Sequence, residues 1–165
     1  MPTMPGRDER EIRTRHSEAF VERPSGTRMP VLNNLRILIA DDHEVMRRGL
    51  KALFSSRPGW ILCAEATNGR EAVVLAAQHR PDIVVMDISM PELSGLEATR
   101  QIRKMLPKTE VLVLSLHYSD QLVREIVDAG ARAYVLKSDS STEVLIAVEA
   151  LPTIEHSLPR VQAGF

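Results

Sequence analysis

Five short apolar runs alternate with five segments of helical periodicity, and this alternation constrains the fold more than any other feature. The runs of strand length are Arg36–Ala40, Trp60–Ala66, Ile83–Met86, Glu110–Leu116 and Ala133–Leu136. Neighbouring parallel strands need a crossover of a dozen or more residues, which a helix supplies. The sequence therefore predicts an α/β domain, a doubly wound parallel sheet with helices on both faces.

The helical segments between these runs are bounded by helix-breaking or capping residues. Pro58-Gly59, Pro81 and Pro107 each follow a helical segment, and Gly130 suits the end of another. The predicted helices are His43–Ser56, Arg70–His79, Gly95–Leu106, Asp120–Ala129 and a last one that starts within Ser138–Ser141 and ends near Leu151.

Both ends of the chain lack this pattern. Residues 1–34 hold four prolines and no apolar periodicity, and their six arginines are offset by five acidic residues, which argues against an Arg-rich transit peptide. We predict a disordered N-terminal extension over 1–34, a folded domain over 35–151 and a short C-terminal tail over 152–165. That tail holds two prolines and is too short for two packed DNA-reading helices.

Composition excludes several classes of function. Lys plus Arg number 21 and Asp plus Glu number 22, a net charge of −1 that gives no support to general binding of nucleic acid or a membrane surface. Cys63 is the single cysteine, so no disulfide forms within the chain. No apolar run approaches the roughly 18 residues of a membrane span. These features predict a cytoplasmic protein of a reducing compartment.

Polar groups follow four of the five predicted strands. Asp41-Asp42 follow the first, Asp87 the third, Ser115 lies near the end of the fourth, and Lys137 follows the fifth. Each has an ordinary structural explanation, such as a helix cap, a satisfied core hydroxyl or a solvated charge. Ligands of open parallel sheets bind at the carboxyl ends of the strands. Because all these polar groups lie at that edge, a shared binding or catalytic site is favoured over separate structural roles.

These residue types suit metal-dependent phosphoryl transfer. Three carboxylates on one edge repel each other, and Mg²⁺ binds oxygen ligands and bridges carboxylates to phosphate. A lysine and a hydroxyl would bind phosphate oxygens, and a carboxylate can attack phosphorus to form an acyl phosphate. The chain has no G-x-x-x-x-G-K-[ST] motif, which argues against nucleotide binding of that type.

At these residues the sequence resembles a two-component response regulator receiver domain. The resemblance is carried by the stretches RILIADDHEVMRRGLKALF, PDIVVMDISMPELSGLEATRQIR and AGARAYVLKS. The residues in these stretches are similar to those of the NarL/FixJ (LuxR-type) subfamily. The resemblance covers about residues 35–150. It implies a flavodoxin-like (βα)5 fold with strand order 2-1-3-4-5.

The resemblance implies a role for each residue of the acidic edge. Asp87 matches the phosphoacceptor, and Asp42 matches the carboxylate that ligates Mg²⁺ directly. Asp41 matches its neighbour, which usually acts through water. Ser89 matches the position whose backbone carbonyl completes the metal site. Pro91 would fix the loop after the phosphoacceptor, although an ordinary loop proline fits equally well.

The resemblance also implies a switch. Lys137 matches the lysine that binds the phosphoryl group, Ser115 the switch hydroxyl, and Tyr134 the switch aromatic, for which a plain core aromatic is the alternative. His117 could face the phosphoryl site or lie exposed in a loop. We interpret His43 as the surface of the first helical turn rather than a metal ligand.

The sequence therefore predicts a receiver that accepts a phosphoryl group from a sensor histidine kinase or a phosphotransfer protein and can dimerise when phosphorylated. It would be no enzyme beyond its own phosphorylation and dephosphorylation, and would not bind DNA alone. One alternative is a truncated DNA-binding transcriptional regulator. An aspartyl-nucleophile phosphohydrolase would need a second Asp where Ser89 stands. A flavin binder would need more aromatics than one Trp, two Tyr and three Phe.

Overall fold

The computed structural model describes residues 34–139 and 141–151, and the backbone of three short strands outside them. The chain divides into two units, residues 1–32 and 33–165. In the first unit, the strands Phe20–Glu22 and Arg28–Pro30 pair antiparallel. Apart from these two strands and Asn34, the residues predicted to be disordered lie outside the described part of the chain.

The second unit contains the alternating strands and helices. Its elements are β1 Leu35–Ala40, α1 Glu44–Ser55, β2 Trp60–Ala66, α2 Gly69–His79, β3 Ile83–Asp87, α3 Gly95–Met105, β4 Glu110–Ser115, α4 Asp120–Asp128, β5 Ala133–Leu136, α5 Ser141–Ala150 and β6 Val161–Gln162. The predicted limits of the first ten elements differ from these by no more than one residue. The periodicity and the Pro and Gly signals were therefore sufficient to place these helices and strands.

The six strands form one parallel sheet in the order β2-β1-β3-β4-β5-β6. The five predicted strands follow the order 2-1-3-4-5, which confirms the flavodoxin-like fold. The sixth strand lies in the predicted tail, where Val161 pairs with Ala133 and Gln162 with Tyr134. A two-residue strand has no periodicity, and the sequence analysis did not predict it.

The sheet separates two hydrophobic clusters. Successive residues of a strand point to opposite faces, so Val84 and Met86 pack toward α2, α3 and α4, while Ile83 and Val85 pack toward α1 and α5. All four side chains are buried. Burial on both faces explains why the central strands read as continuous apolar runs rather than as alternating ones.

Three helices begin at side-chain caps that the sequence analysis did not predict, and one ends at the predicted glycine. The side chains of Asn68, Ser94 and Ser119 accept hydrogen bonds from backbone N–H groups in the first turns of α2, α3 and α4. Gly130 follows α4 with a φ of 96°, a conformation that costs other residues steric strain. Among the described residues, no helix is long and apolar enough to cross a membrane.

The only tryptophan of the sequence lies at the edge of the sheet where the strands begin. Trp60 is the first residue of β2 and packs against Phe54 of α1, with ring centroids 5.6 Å apart. The carboxyl ends of the strands lie at the opposite edge. Trp60 is therefore separated by the length of the sheet from the polar groups that follow β1, β3, β4 and β5.

Candidate functional site

The carboxyl ends of β1, β3 and β5 bring a buried cluster of charges together. The side chains of Asp41 and Asp87 are 0% and 3% exposed, and that of Lys137 is 5% exposed. Asp87 is the last residue of β3 and continues the face of Ile83 and Val85, which holds it against the core. These three residues, predicted to share one edge, therefore meet at that edge.

The Lys137 ammonium lies between the two carboxylates. Its Nζ donates a hydrogen bond to Asp41 Oδ2 at 2.8 Å and lies 3.0 Å from Asp87 Oδ2. The Lys137 N–H also donates to the Ser115 carbonyl at 2.7 Å, which fixes the lysine backbone beside β4. Burial alone lowers the pKa of the ammonium, but the two carboxylates more than offset this, and the pKa is raised above its usual value.

The pKa of the Asp87 carboxyl is shifted by its surroundings. Burial raises the pKa of Asp87 above its usual value, the Lys137 ammonium opposes the rise, and the Asp41 charge adds to it. Oδ2 of Asp87 has no hydrogen bond of good geometry within the described residues, although it is ion-paired with Lys137. A buried oxygen that still has free lone pairs is suited to bind a metal ion or attack phosphorus.

Asp42 and His43 complete the acidic edge. The Asp42 side chain is one-third exposed, and His43 Nδ1 lies 3.0 Å from Asp42 Oδ1 and 3.2 Å from Asp41 Oδ1. One ligand atom from each of Asp41, Asp42, His43 and Asp87 lies within 4.8 Å of the others. Three carboxylates at this spacing fit a hard divalent cation. His43, predicted as helix surface only, occupies the N-cap position of α1 without a capping hydrogen bond from its side chain, and its ring lies beside these carboxylates.

Ser89 lies in the loop after Asp87 and is exposed. Its N–H donates to Asp87 Oδ1 at 3.3 Å, so the Ser89 backbone adjoins the candidate phosphoacceptor. The predicted role of its carbonyl as a metal ligand stays a prediction. Arg47 was not predicted at all. Its Nη1 donates to the Asp41 carbonyl at 2.9 Å and so ties α1 to the end of β1.

Ser115 and Tyr134 lie on the same face of the sheet. Tyr134 pairs in register with Val113, two residues before Ser115, and points with it toward α4. The Ser115 hydroxyl donates to the His117 carbonyl at 2.7 Å and accepts from the His117 N–H at 3.1 Å. Ser115 is thus engaged with its own loop rather than with Asp87. His117 is exposed in the loop after β4, which was one of the two alternatives given for it.

A second aromatic accompanies Tyr134. Tyr134 is buried, and its ring stacks on Tyr118 with centroids 6.3 Å apart and planes 29° apart. Tyr118 is 54% exposed, as is Leu116 at 63%, so an apolar surface borders the edge of the site. Tyr118 lies in a loop without periodicity, and the only sequence signal for it was its position two residues before the N-terminus of α4.

Sequence comparison shows which protein family this chain resembles. A family profile described as the response regulator receiver domain matches residues 37–149. The transcriptional regulatory protein LiaR of Bacillus subtilis is 36% identical over 130 residues, covering 79% of this chain and 62% of that protein. YdfI, a transcriptional regulatory protein of the same organism, is 41% identical over 115 residues, covering 70% of this chain and 54% of that protein.

Solved structures agree. A LuxR-family two-component response regulator from Aurantimonas superposes with a TM-score of 0.69 and 38% identity, over 72% of this chain and 84% of that one. The receiver domain of the response regulator NarL from Mycobacterium tuberculosis gives a TM-score of 0.70 and 29% identity, over 74% and 99%. This chain spans only 54% to 62% of the length of regulators such as LiaR and YdfI.

Proposed function

The chain belongs to the response regulator receiver domain family, and from that membership we propose that Asp87 accepts a phosphoryl group from a sensor histidine kinase or a phosphotransfer protein. Receiver domains of this family act in two-component signalling rather than as classical enzymes. The observation that carries the proposal is the buried cluster in which the Asp87 carboxylate lies 3.0 Å from the buried Lys137 ammonium, which also contacts Asp41. We expect this signalling to take place in the cytoplasm.

The transfer is a displacement at phosphorus. An oxygen of Asp87 attacks, a new carboxylate O–P bond forms, and the P–N bond to the donor imidazole breaks with its electron pair leaving on nitrogen. The Lys137 ammonium lies within 3.0 Å of the attacking carboxylate and supplies positive charge to the transferred oxygens. Lys137 takes part by binding the phosphoryl group, so removing it should weaken the switch more than the labelling.

The acidic edge would hold Mg²⁺. The candidate ligands are the carboxylates of Asp41, Asp42 and Asp87 and the backbone carbonyl of Ser89, with Asp41 acting through water. When bound, Mg²⁺ neutralises the charge that the carboxylates and the phosphoryl oxygens would otherwise build up. His43 adjoins this set and adds a ring nitrogen within reach of both carboxylates of the β1–α1 loop.

Phosphorylation would act on Ser115 and Tyr134. To bind a phosphoryl oxygen, the Ser115 hydroxyl must give up its hydrogen bond to the His117 carbonyl, which moves the loop after β4. That movement changes the space available to Tyr134. Driving a two-state equilibrium from mostly off to mostly on needs about 5.5 kcal/mol. Two or three charge-assisted hydrogen bonds, at roughly 1.5–3 kcal/mol each, supply a stabilisation of that order.

The proposed output is through protein contacts. The described residues form a receiver without a helix-turn-helix unit, and we propose that they bind no DNA alone but act by phosphate transfer or by dimerisation on the surface of α4, β5 and α5. The relatives carry the name of transcriptional regulators, so a truncated regulator is the alternative. Retention of a specific DNA sequence by the phosphorylated chain at physiological salt would contradict this part of the proposal.

Labelling tests the central assignment. Acetyl phosphate with Mg²⁺ should add one phosphoryl group per chain, and Asp87→Asn should abolish its addition. Asp128→Asn is the matched control, because Asp128 is exposed at the end of α4. Intact-mass spectrometry reads the outcome, and hydroxylamine should release inorganic phosphate and leave a hydroxamate at Asp87, as expected of an acyl phosphate. Labelling of the Asp87→Asn protein to the wild-type extent would refute Asp87 as the phosphoacceptor.

A further inference from the structure

We propose that Gly69, the first residue of α2, is a positioning residue for the loop that carries the phosphoacceptor. This inference rests on the proposed function of Asp87. The loop runs from Ile88 to Ser94, between β3 and α3. The absence of a side chain at Gly69 lets the carbonyl of Leu93 lie against the start of α2, and that contact fixes the path of the loop.

The contact between the two segments leaves no room for a larger residue. A methyl group on Gly69 would lie 2.1 Å from the Leu93 carbonyl oxygen, 2.8 Å from its carbon and 3.0 Å from Leu93 Cβ. The closest two atoms are backbone atoms, which cannot rotate away as a side-chain tip can. Since real contacts of this kind are not shorter than 3.0 Å, the carbonyl would have to retreat by about 0.9 Å.

The start of α2 is a rigid surface for this contact. The Asn68 side chain accepts from the Glu71 N–H at 2.8 Å, and Glu71 Oε2 accepts from the Thr67 N–H at 2.7 Å and the Thr67 hydroxyl at 2.9 Å. These bonds give the Glu71 N–H an acceptor and tie the residue before the N-cap to the first turn of the helix. Gly69 is itself buried within it. The loop, not the helix, is therefore the part that must move.

The turn around Glu92 has weak polar support. The Leu93 N–H donates to the Pro91 carbonyl at 2.8 Å, and Glu92 between them has a φ of 66°. A residue other than glycine keeps such a conformation only when its surroundings hold it there. The Arg70–Glu92 ion pair is exposed and 3.8 Å long, so it adds little. The turn is held by the packing of the Met90 and Leu93 side chains on the hydrophobic core and by the close contact of the Leu93 backbone with Gly69.

A shift of Leu93 would reach the phosphoacceptor. The Ile88 carbonyl accepts from the Gly95 N–H at 2.9 Å, which joins the two ends of the loop, and next to Ile88 the Ser89 N–H donates to Asp87 Oδ1 at 3.3 Å. Gly95 is equally close-packed, since a methyl group there would lie 1.9 Å from the Asp87 carbonyl oxygen. Because Asp87 and Ile88 are held against Gly95, a displacement of Leu93 must be taken up by the loop between Ile88 and Leu93, which includes Ser89 beside the candidate metal ligands.

The test compares Gly69→Ala with Gly49→Ala. Gly49 lies in α1 with nothing within 4 Å of an added methyl group, so the same substitution is made in a helix without a clash. We expect Gly69→Ala to weaken Mg²⁺ binding and to slow acetyl phosphate labelling roughly tenfold to hundredfold, the effect of a misplacement of about 1 Å. Gly49→Ala should leave both at wild-type values. Calorimetry gives the Mg²⁺ affinity, and the NMR shift of the Ser89 amide reports the loop directly.

Each outcome separates positioning from stability. A folded Gly69→Ala protein with a lower melting temperature but wild-type Mg²⁺ affinity and an unshifted Ser89 amide would overturn the inference. Should Gly69→Ala not fold, Leu93→Gly removes the Leu93 side chain, whose Cβ lies beside Gly69, and frees the loop backbone, so it must weaken Mg²⁺ binding; wild-type affinity there would also overturn the inference. A wild-type chain that does not label refutes the proposed function instead, and the Ser89 amide shift still decides the position of the loop.

Discussion

Replacing Lys137 with methionine should destabilise the protein far more than removal of an ordinary ion pair would. Nζ of Lys137 lies 2.8 Å from Asp41 Oδ2 and 3.0 Å from Asp87 Oδ2, and all three side chains are at most 5% exposed. Methionine keeps most of the length and the apolar stem of lysine. What the substitution removes is the positive charge, and two buried carboxylates are then left facing each other.

The size of the effect follows from burial. Breaking a buried pair by removing one partner costs about 3–5 kcal/mol, because a charge without compensation stays behind. For a domain of this size about 4 °C of melting temperature correspond to 1 kcal/mol, so the midpoint should fall by roughly 12–20 °C. Mg²⁺ should return part of this loss, since a cation bound only by the folded state stabilises it.

The control is the same substitution in an exposed ion pair. Lys51 Nζ lies 3.1 Å from Glu65 Oε2, a comparable distance, but these side chains are 56% and 35% exposed. Lys51→Met should therefore cost less than about 1 kcal/mol. Urea denaturation followed by circular dichroism, in buffer with EDTA and then with Mg²⁺, gives the free energy of unfolding for both variants.

Two results would refute the reasoning. The first is a Lys137→Met variant that loses no more stability than Lys51→Met. The second concerns the double variant Asp87→Asn/Lys137→Met, which removes one of the facing carboxylates and should be more stable than Lys137→Met alone. If the double variant is less stable instead, repulsion between Asp41 and Asp87 is not the cause. The double variant also serves if the single one does not fold.

Three further predictions follow from other residues. Burial raises the pKa of Asp87, so the folded state favours its protonated form. The protonated carboxyl therefore adds to the free energy of unfolding below the unfolded pKa near 4, and this stabilisation is lost as the pH rises through the folded pKa. Without metal, Asp87→Asn should thus be more stable than wild type at pH ~7, a gain that urea titrations should show shrinking in acid; a growing gain contradicts this. Burial also raises the pKa of the Cys63 thiol, which donates to the Ile37 carbonyl at 3.3 Å. Iodoacetamide should therefore modify Cys63 about tenfold more slowly than glutathione at pH ~8, and an equal rate would be inconsistent with its burial. Arg80 ends α2 with a φ of 46°, so Arg80→Gly should add about 1 kcal/mol to the free energy of unfolding in urea, whereas a loss would show that its side chain matters more than the strain.

The fold could be predicted because local and global signals agree in this sequence. Apolar runs buried on both faces, such as Ile83–Met86, read as central strands, and Pro81 and Pro107 end the helices that separate them. The shared edge of Asp41, Asp87 and Lys137 followed from a rule about parallel sheets rather than from any one residue. The order of the strands did not follow from periodicity, and only the resemblance to a known family supplied it.

The rest depended on loop paths that periodicity does not encode. Whether the His43 ring turns toward Asp41 and Asp42 depends on a side-chain rotamer at a helix cap. The stacking of Tyr118 on Tyr134 depends on the course of the loop after β4. The contact between Gly69 and Leu93 joins a helix start to a loop residue 24 positions further along the chain. Such pairs become visible only when the backbone is placed.

The distribution of aromatic rings gives this protein two separate optical probes. Trp60, the single tryptophan, packs on Phe54 at the edge where the strands begin, and its fluorescence reports whether the sheet is folded. Tyr118 and Tyr134 are the only tyrosines of the sequence and stack on each other beside the proposed phosphoryl site. Near-ultraviolet circular dichroism of this coupled tyrosine pair can follow the switch while tryptophan emission stays constant. Unlabelled wild-type protein can thus be used to time phosphorylation independently of unfolding.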